Sequence, residues 1–411
     1  MKKSFGLFER FGVELEYMIV DAETLAVRPE ADLLIKKISG NLDGDVSRGA
    51  LEWSNELALH VIELKTGQPV VRLNGLADGF HGEVQFINAQ LKKSGARLLP
   101  TAMHPWMNPA RDSRLWPHSN GEIYAAFDRL FNCSGHGWTN LQSAHLNLPF
   151  RTPTEFRRLH TAIRLLLPLL PALAASSPFV EGRRAPLLDM RLETYRHNCR
   201  RIRSITGRVI PEQIQSPADY RKKILQRIYR ELKPHDPDGI LQEEWANARG
   251  AIARFERNTI EIRVLDVQEC PTADLAIVQF IVAILRALVS EQFSSEEVQL
   301  KPTTVALEKL FLSTAEKTGD AMVTGAGIRE AFGCFSSSSV GVGELLQWLL
   351  HAVAPKKAPW RPVIEMILTE GTLSERIVKA VGKSAKPKRA VLNRVYGRLA
   401  DCLERDEPFH A

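Results

Sequence analysis

Gly12-Val13-Glu14-Leu15-Glu16-Tyr17 alternates apolar and acidic side chains, with Val13, Leu15 and Tyr17 on one side and Glu14 and Glu16 on the other. A period of two belongs to a β-strand half-buried on one face, and the spacing predicts a strand over residues 11–20. Two later stretches use the same device. Ala144-His145-Leu146-Asn147-Leu148 places an imidazole and an amide at i and i+2, and Ile260-Glu261-Ile262-Arg263-Val264 places a carboxylate and a guanidinium there. One sheet would direct all six polar side chains toward a single surface. Each pair alone is what the wet face of an antiparallel strand shows. Solvated faces, however, favour Lys, Thr and Ser, whereas these three pairs carry carboxylates, an imidazole, an amide and one arginine. Gathered carboxylates repel one another unless a cation sits among them. Mg²⁺ is commonly held by a few carboxylates together with substrate phosphates.

Glu56 and Glu63 add two carboxylates seven residues apart. Two helical turns would explain that spacing, but Val61-Ile62-Glu63-Leu64 is β-rich and predicts a strand over 58–65. Working outward, strands are expected at 97–102, 142–148 and 259–266. Helices are expected at 73–94, where Leu76, Phe80, Val84, Ile87 and Leu91 recur at helical spacing, and at 121–133, 154–167, 220–232 and 272–292. From about Ser294 the character changes. Phe335-Ser336-Ser337-Ser338-Ser339 reads as a loop, and helices are expected at 343–353, 362–370, 373–381 and 390–404, with Lys383–Arg389 as a solvated linker. The organisation expected is a catalytic domain over 1–293 and a helical C-terminal subdomain over 294–411 packed on it.

A chain of 411 residues, 44% of them apolar, can bury a large core. Its net charge of +6 is modest and diffuse, favouring anionic ligands without arguing for nucleic acid. Cys133, Cys199, Cys270, Cys334 and Cys402 are scattered and include no C-x-x-C, which argues against a disulfide framework or zinc site and points to a reducing compartment. The first residues hold no apolar core of signal-peptide length. The apolar run Ile163–Ala175 is broken by Arg164, Pro168 and Pro171 and is too short to span a bilayer. A cytoplasmic protein with no membrane or nucleic-acid partner is expected, with homo-oligomerisation left open.

Gly12–Tyr17, the seven-spaced Glu56 and Glu63-Leu-Lys-Thr66, Thr101-Ala-Met-His-Pro105, Ser176-Ser-Pro-Phe179 and Thr259–Asp266 follow one another in an order that resembles the glutamate–cysteine ligase superfamily, in particular its bacterial carboxylate–amine ligase branch. The resemblance covers roughly residues 10–290. It implies an α+β, glutamine-synthetase-like fold: a curved antiparallel sheet forming a funnel, covered by helices. It also implies an ATP- and Mg²⁺-dependent ligase that joins a small-molecule carboxylate to an amine through an acyl phosphate, forming a γ-glutamyl-type amide. Carried over by position, Glu14, Glu16, Glu56, Glu63 and Glu261 become metal ligands for two or more ions, with Mn²⁺ able to substitute, and His145 lies beside the metals. Arg263 would stabilise the phosphate in transfer, Glu56 and His145 would share the catalytic work, and Asn147 would contact the nucleotide. That branch often has a second histidine at Asn147, and this departure puts the substrate in question.

Between Arg183 and Arg208 stand eight arginines. Gly and Pro there argue for loop as much as helix, and Arg191 and Arg196 are candidates for pairing with carboxylate or phosphate as the loop closes. The plain alternative is a basic surface with scattered ion pairs. His104-Pro105 reads as a structured turn, His197 as a weaker candidate, and Cys199 and Cys270 as buried thiols. Three other functions compete with the ligase that makes γ-glutamyl bonds. One is an amidoligase of the same fold using another acid or amine, such as an amino acid, peptide or polyamine. The second is a metal-dependent hydrolase, which leaves Arg263 without a role. The last is a nucleic-acid binder, for which one tyrosine among the arginines offers too little stacking surface.

Overall fold

The computed structural model describes residues 4–42, 45–334 and 338–411. Phe335, Ser336 and Ser337 of the expected serine-rich loop lie outside the described residues. Eight strands form one sheet: β1 (Gly12–Asp21), β2 (Val46–Arg48), β3 (Leu51–Asn55), β4 (Val61–Thr66), β5 (Ala96–Leu99), β6 (Ser143–Pro149), β7 (Ala251–Arg254) and β8 (Thr259–Asp266). Their order is β2-β3-β4-β1-β6-β8-β7, with β5 pairing along the far end of β1. Every pairing is antiparallel. Six helices enter the description: α1 (Leu76–Leu91), α2 (Gly121–Phe131), α3 (Met190–Asn198), α4 (Pro271–Val289), α5 (Leu373–Val381) and α6 (Arg389–Arg405).

β1 is the central strand, and its alternation sorts the molecule into two sides. Val13, Leu15, Tyr17 and Ile19 are fully buried in the main apolar cluster. That cluster also takes in the stripe Phe80, Val84, Ile87 and Leu91 of α1, which packs on α4 and β5. α4 starts on Pro271 at a first-turn position, where a missing N–H costs nothing. By length and composition it could cross a membrane, but 72% of its apolar window is buried, as in a core helix.

The opposite face of β1 carries Glu14 and Glu16 and then, two and four residues on, Met18 and Val20. Met18, Val20 and Leu99 form a second apolar cluster with Leu373 and Ile377 of α5 and Leu392, Val395, Tyr396 and Leu399 of α6. The last two helices therefore seal one end of the polar face. The main cluster is continuous across residue 293, joining Phe280 to Leu346 and Ile364.

The α+β class and the antiparallel sheet are as expected, as are the four late helices, observed at Val342–Val353, Arg361–Glu370, Leu373–Val381 and Arg389–Arg405. Other boundaries differ. The strand expected over 58–65 starts at Val61, because residues after Asn55 turn the β3–β4 hairpin. Glu56 sits in that connection, so its distance from Glu63 reflects a hairpin rather than one strand or two helical turns. The strand expected over 97–102 stops at Leu99. The arginine-rich stretch contains α3, whose first turn is capped by the Asp189 side chain accepting from the Leu192 N–H. Elements that went unread include β2, β3, β7 and the helices Ala31–Ser39, Thr304–Lys317 and Ala326–Ala331.

Candidate active site

The polar face of the sheet lines a cavity of about 1360 Å³, bounded by β1, β3, β4, β6 and β8 and walled by α2, α3 and Trp245. Register sets the rows across it. Glu14 pairs with Lys65 on one side and His145 on the other. Glu16 pairs with Glu63, which pairs in turn with Ser54. Asn147 stands between Gly12 and Glu261. Alternation had placed each pair on one face of its own strand; pairing puts the faces side by side.

Two groups of donor atoms gather within 4.8 Å of one another: Glu14, Glu63 and His145, and Glu16, Glu56 and Glu63. Glu63 belongs to both. Glu14 stands 2.8 Å from His145 Nδ1 and accepts from the Asn147 amide at 3.0 Å. Glu16 accepts from the Ser143 N–H at 2.7 Å and from its hydroxyl at 3.1 Å, and that hydroxyl lies 3.0 Å from His145 Nε2. Ser54 donates to Glu63 at 2.6 Å.

Crowding shows in the protonation of these groups. Burial, and then the charges of Glu16 and Glu63, push the Glu56 carboxyl well above its ordinary value. Burial and Glu14 raise Glu63 to about 7, although Lys65 and Ser54 pull the other way. Burial works against the charged form of His145, but the Glu14 hydrogen bond and the charges of Glu14, Glu16 and Glu261 outweigh it and raise its pKa. A divalent cation would relieve this repulsion, and oxygen donors with one imidazole suit Mg²⁺ or Mn²⁺.

Glu261 shares the face but belongs to neither group. Its Oε1 accepts from Arg263 at 2.6 and 2.9 Å, and its Oε2 from Arg254 at 3.4 Å. Burial alone would raise its pKa, but Arg263, His145 and Arg254 hold it at about 2. The β6–β8 register shifts between Ile262 and Leu265, so the chain bulges at Arg263, opposite His145. Arg191 lines the cavity but is buried. Its guanidinium donates to the Arg263 carbonyl at 3.0 Å and lies 3.5 Å from Asp266. Arg196 is not among the lining residues and pairs with Glu193 along α3. His104 is buried away from the cavity, its ring nitrogens meeting the Leu25 carbonyl and the Met107 N–H, and burial lowers its pKa to about 3. His197 is exposed on α3. Cys199 and Cys270 are buried, and burial raises the Cys199 thiol to about 12.

Ser143 was legible as the preceding member of the His145 and Asn147 alternation. Ser54, Lys65, Tyr124, Tyr195 and Arg254 gave no local signal, since their partners arrive from distant strands and helices.

The model of the family described as glutamate–cysteine ligase family 2 matches residues 10–391. An uncharacterized protein of Archaeoglobus fulgidus is 34% identical over 398 residues, covering 97% of this chain and 99% of its own. A protein of Pseudomonas aeruginosa provisionally named glutamate–cysteine ligase 2 is 28% identical over 295 residues, covering 70% of this chain and 68% of its own. Among solved structures, glutamate–cysteine ligase of Francisella tularensis in complex with AMP aligns with a TM-score of 0.60 over 98% of this chain and 90% of that one, at 13% identity. At that identity the likeness speaks for the fold, and it agrees with the glutamine-synthetase-like sheet. By the extent of the family match, supported by the full-length archaeal relative, this chain belongs to glutamate–cysteine ligase family 2.

Proposed function

We propose that the protein is an ATP- and Mg²⁺-dependent carboxylate–amine ligase that forms a γ-glutamyl-type amide through an acyl phosphate. One observation carries this reading: two carboxylate groups sharing Glu63 open into the same cavity as Arg263. Carboxylate and ATP are both anions, so the site must neutralise charge before they can meet. Glu14, Glu16, Glu56, Glu63 and His145 would hold the divalent ions, with Glu261 joining them as Arg263 turns to phosphate. Bound there, Mg²⁺ supplies charge neutralisation and alignment of the triphosphate.

In the first step a carboxylate oxygen bonds to the γ-phosphorus and the bond to the β–γ bridging oxygen breaks, leaving ADP. In the second, the amine lone pair forms the C–N bond while the C–O bond to phosphate breaks. Phosphate departs with that electron pair and takes up the nitrogen's proton. Arg263 would meet the charge that develops on the transferred group, and the Ser143 and Asn147 hydrogen bonds hold Glu16 and Glu14 in place. The unbridged cysteines accord with a reducing, cytoplasmic setting.

The test is ADP release by the full chain with Mg²⁺, glutamate and an array of amines, together with ¹⁸O transfer from labelled carboxylate into phosphate. Glu63→Gln touches both carboxylate groups and is expected to cut turnover by roughly 10²-fold or more. Cleavage of a γ-glutamyl amide without nucleotide would favour the hydrolase, and full activity in Glu63→Gln would remove that residue from the site.

A further inference from the structure

One ammonium stands among the acids of the polar face. Register sets Glu52, Lys65, Glu14 and His145 in a single row across β3, β4, β1 and β6. Glu63 precedes Lys65 by two residues on β4 and therefore shares its face. The Lys65 Nζ lies 3.5 Å from Glu63 Oε1, the oxygen that also accepts from Ser54. It lies 3.3 Å from Asp45, just before β2. Burial works against the lysine's charge, but Glu63, then Asp45 and Glu14, outweigh it and raise its pKa. Asp45 is half exposed, so its pull is screened by solvent, whereas Glu63 is buried.

The other cations that line the cavity are engaged elsewhere. Arg254 and Arg263 pair with Glu261, Arg191 turns to Asp266, and Arg257 stands 3.6 Å from Glu256. Arg10 donates to the Glu9 carbonyl. Among the described residues, Lys65 is the lysine or arginine that pairs with a member of the two acid groups, and it lines the same cavity.

This position sets two opposite effects. A divalent ion sits about 2.1 Å from a carboxylate oxygen, so one bound to Glu63 Oε1 would lie within about 6 Å of the ammonium. Like charges at that range repel, and Lys65 weakens the hold of the acids on a bare ion. A triphosphate reverses the balance. Lysine is a point charge on a flexible stem, and an ammonium released from Glu63 is free to pair with phosphate oxygens in the same cavity. We propose that Lys65 couples metal to nucleotide: it opposes the ion alone, and it turns from Glu63 to the phosphates when ion and nucleotide bind together. Each then tightens the other, as linkage requires. The proposal rests on the ligase reading and adds a regulating residue to the same site.

Calorimetric titration of the full chain with Mn²⁺ alone is the first test. Lys65→Met should bind Mn²⁺ about tenfold tighter than the parent, since one positive charge has left the site. At saturating Mg²⁺ the same variant should bind ADP about tenfold more weakly and lose less affinity for AMP, which has one phosphate fewer to pair. Lys65→Arg keeps the charge and should stay within about threefold of the parent in both titrations. Thermal unfolding midpoints check that each variant folds, with Lys65→Gln in place of Lys65→Met should the latter fail. Unchanged or weaker Mn²⁺ binding in the neutral variant overturns the proposal, and so does ADP binding that is unchanged or falls no further than that of AMP. Both expected shifts, with no ADP release from any acid and amine, would uphold the coupling and remove the ligase.

Discussion

His160 is 1% exposed, with its ring 5.6 Å from Phe156 and 5.8 Å from Tyr220, and neither ring nitrogen has a hydrogen-bond partner. Burial, and then the charges of Arg164 and Arg249, lower its pKa to about 3. The unfolded chain takes up a proton near 6.5 that the folded one refuses. Its contribution to stability is therefore full above 6.5 and is lost as pH falls toward 3, amounting to roughly 2 kcal/mol between pH 7 and 5. His160→Phe keeps a ring of similar size and strips no hydrogen bond. It is expected to be at least as stable at pH 7 and to lose about that much less than the parent on going to pH 5, read from urea midpoints at both values. Identical pH dependence in the two proteins would mean that this imidazole protonates freely. At this scale the sequence was informative wherever a side chain's role follows from its own strand. Glu14 with Glu16, and His145 with Asn147, needed only backbone alternation. Glu56 needed the hairpin, and Arg254 needed β7 beside β8, which no local pattern announces.

The element that organises the site is β8 with its bulge, held by Arg191 of α3. Arg191 ties the bulge carbonyl to Asp266, while Asp266 accepts from the Ser176 N–H and the Ser177 hydroxyl, each at 2.9 Å. Burial raises Asp266 to about 6 against the pull of Arg191, and raises Asp189, which also feels the Asp266 charge, well above its ordinary value. Arg191→Met would leave these acids without their cation, at a cost of roughly 3–5 kcal/mol. Arg196→Ala removes a helix-surface pair with Glu193 and should cost under ~1 kcal/mol. Thermal unfolding of the two variants checks this, and comparable losses would contradict the division of labour between two arginines of one helix. Both looked equivalent in the sequence. Their difference comes from the helical phase, which turns Arg191 inward under β8 and Arg196 toward Glu193, and the arginine-rich stretch did not show that a helix was there at all.

Across the whole molecule, the C-terminal residues are bound into the fold. Arg376 of α5 lies 2.7 Å from Glu269, both fully buried, and bonds the Phe409 carbonyl. Phe409 donates its N–H to Glu269, and Asp406 accepts from the Thr272 N–H and hydroxyl at the start of α4. Arg376→Met is expected to destabilise the chain by roughly 3–5 kcal/mol by stranding Glu269, with Glu269→Gln in the same chain recovering part of the loss. Because the main apolar cluster runs through both parts, tryptophan fluorescence and far-UV circular dichroism should report one coincident transition, and separate midpoints would show the late helices unfolding on their own. The amino-acid sequence by itself determined the strands and helices whose periodicity is local, the acidic character of one sheet face and the family likeness, since alternation and helical spacing depend on near neighbours. Tertiary structure alone decided that Glu63 serves two groups, that Glu261 faces arginines, that Arg191 spends its guanidinium on the Arg263 carbonyl and Asp266, and that Tyr124, Phe127, Trp138 and Trp245 come together in the cavity wall. Those facts depend on which strands lie side by side and which helices cross them, and such long-range pairing is set by the packing of the whole core.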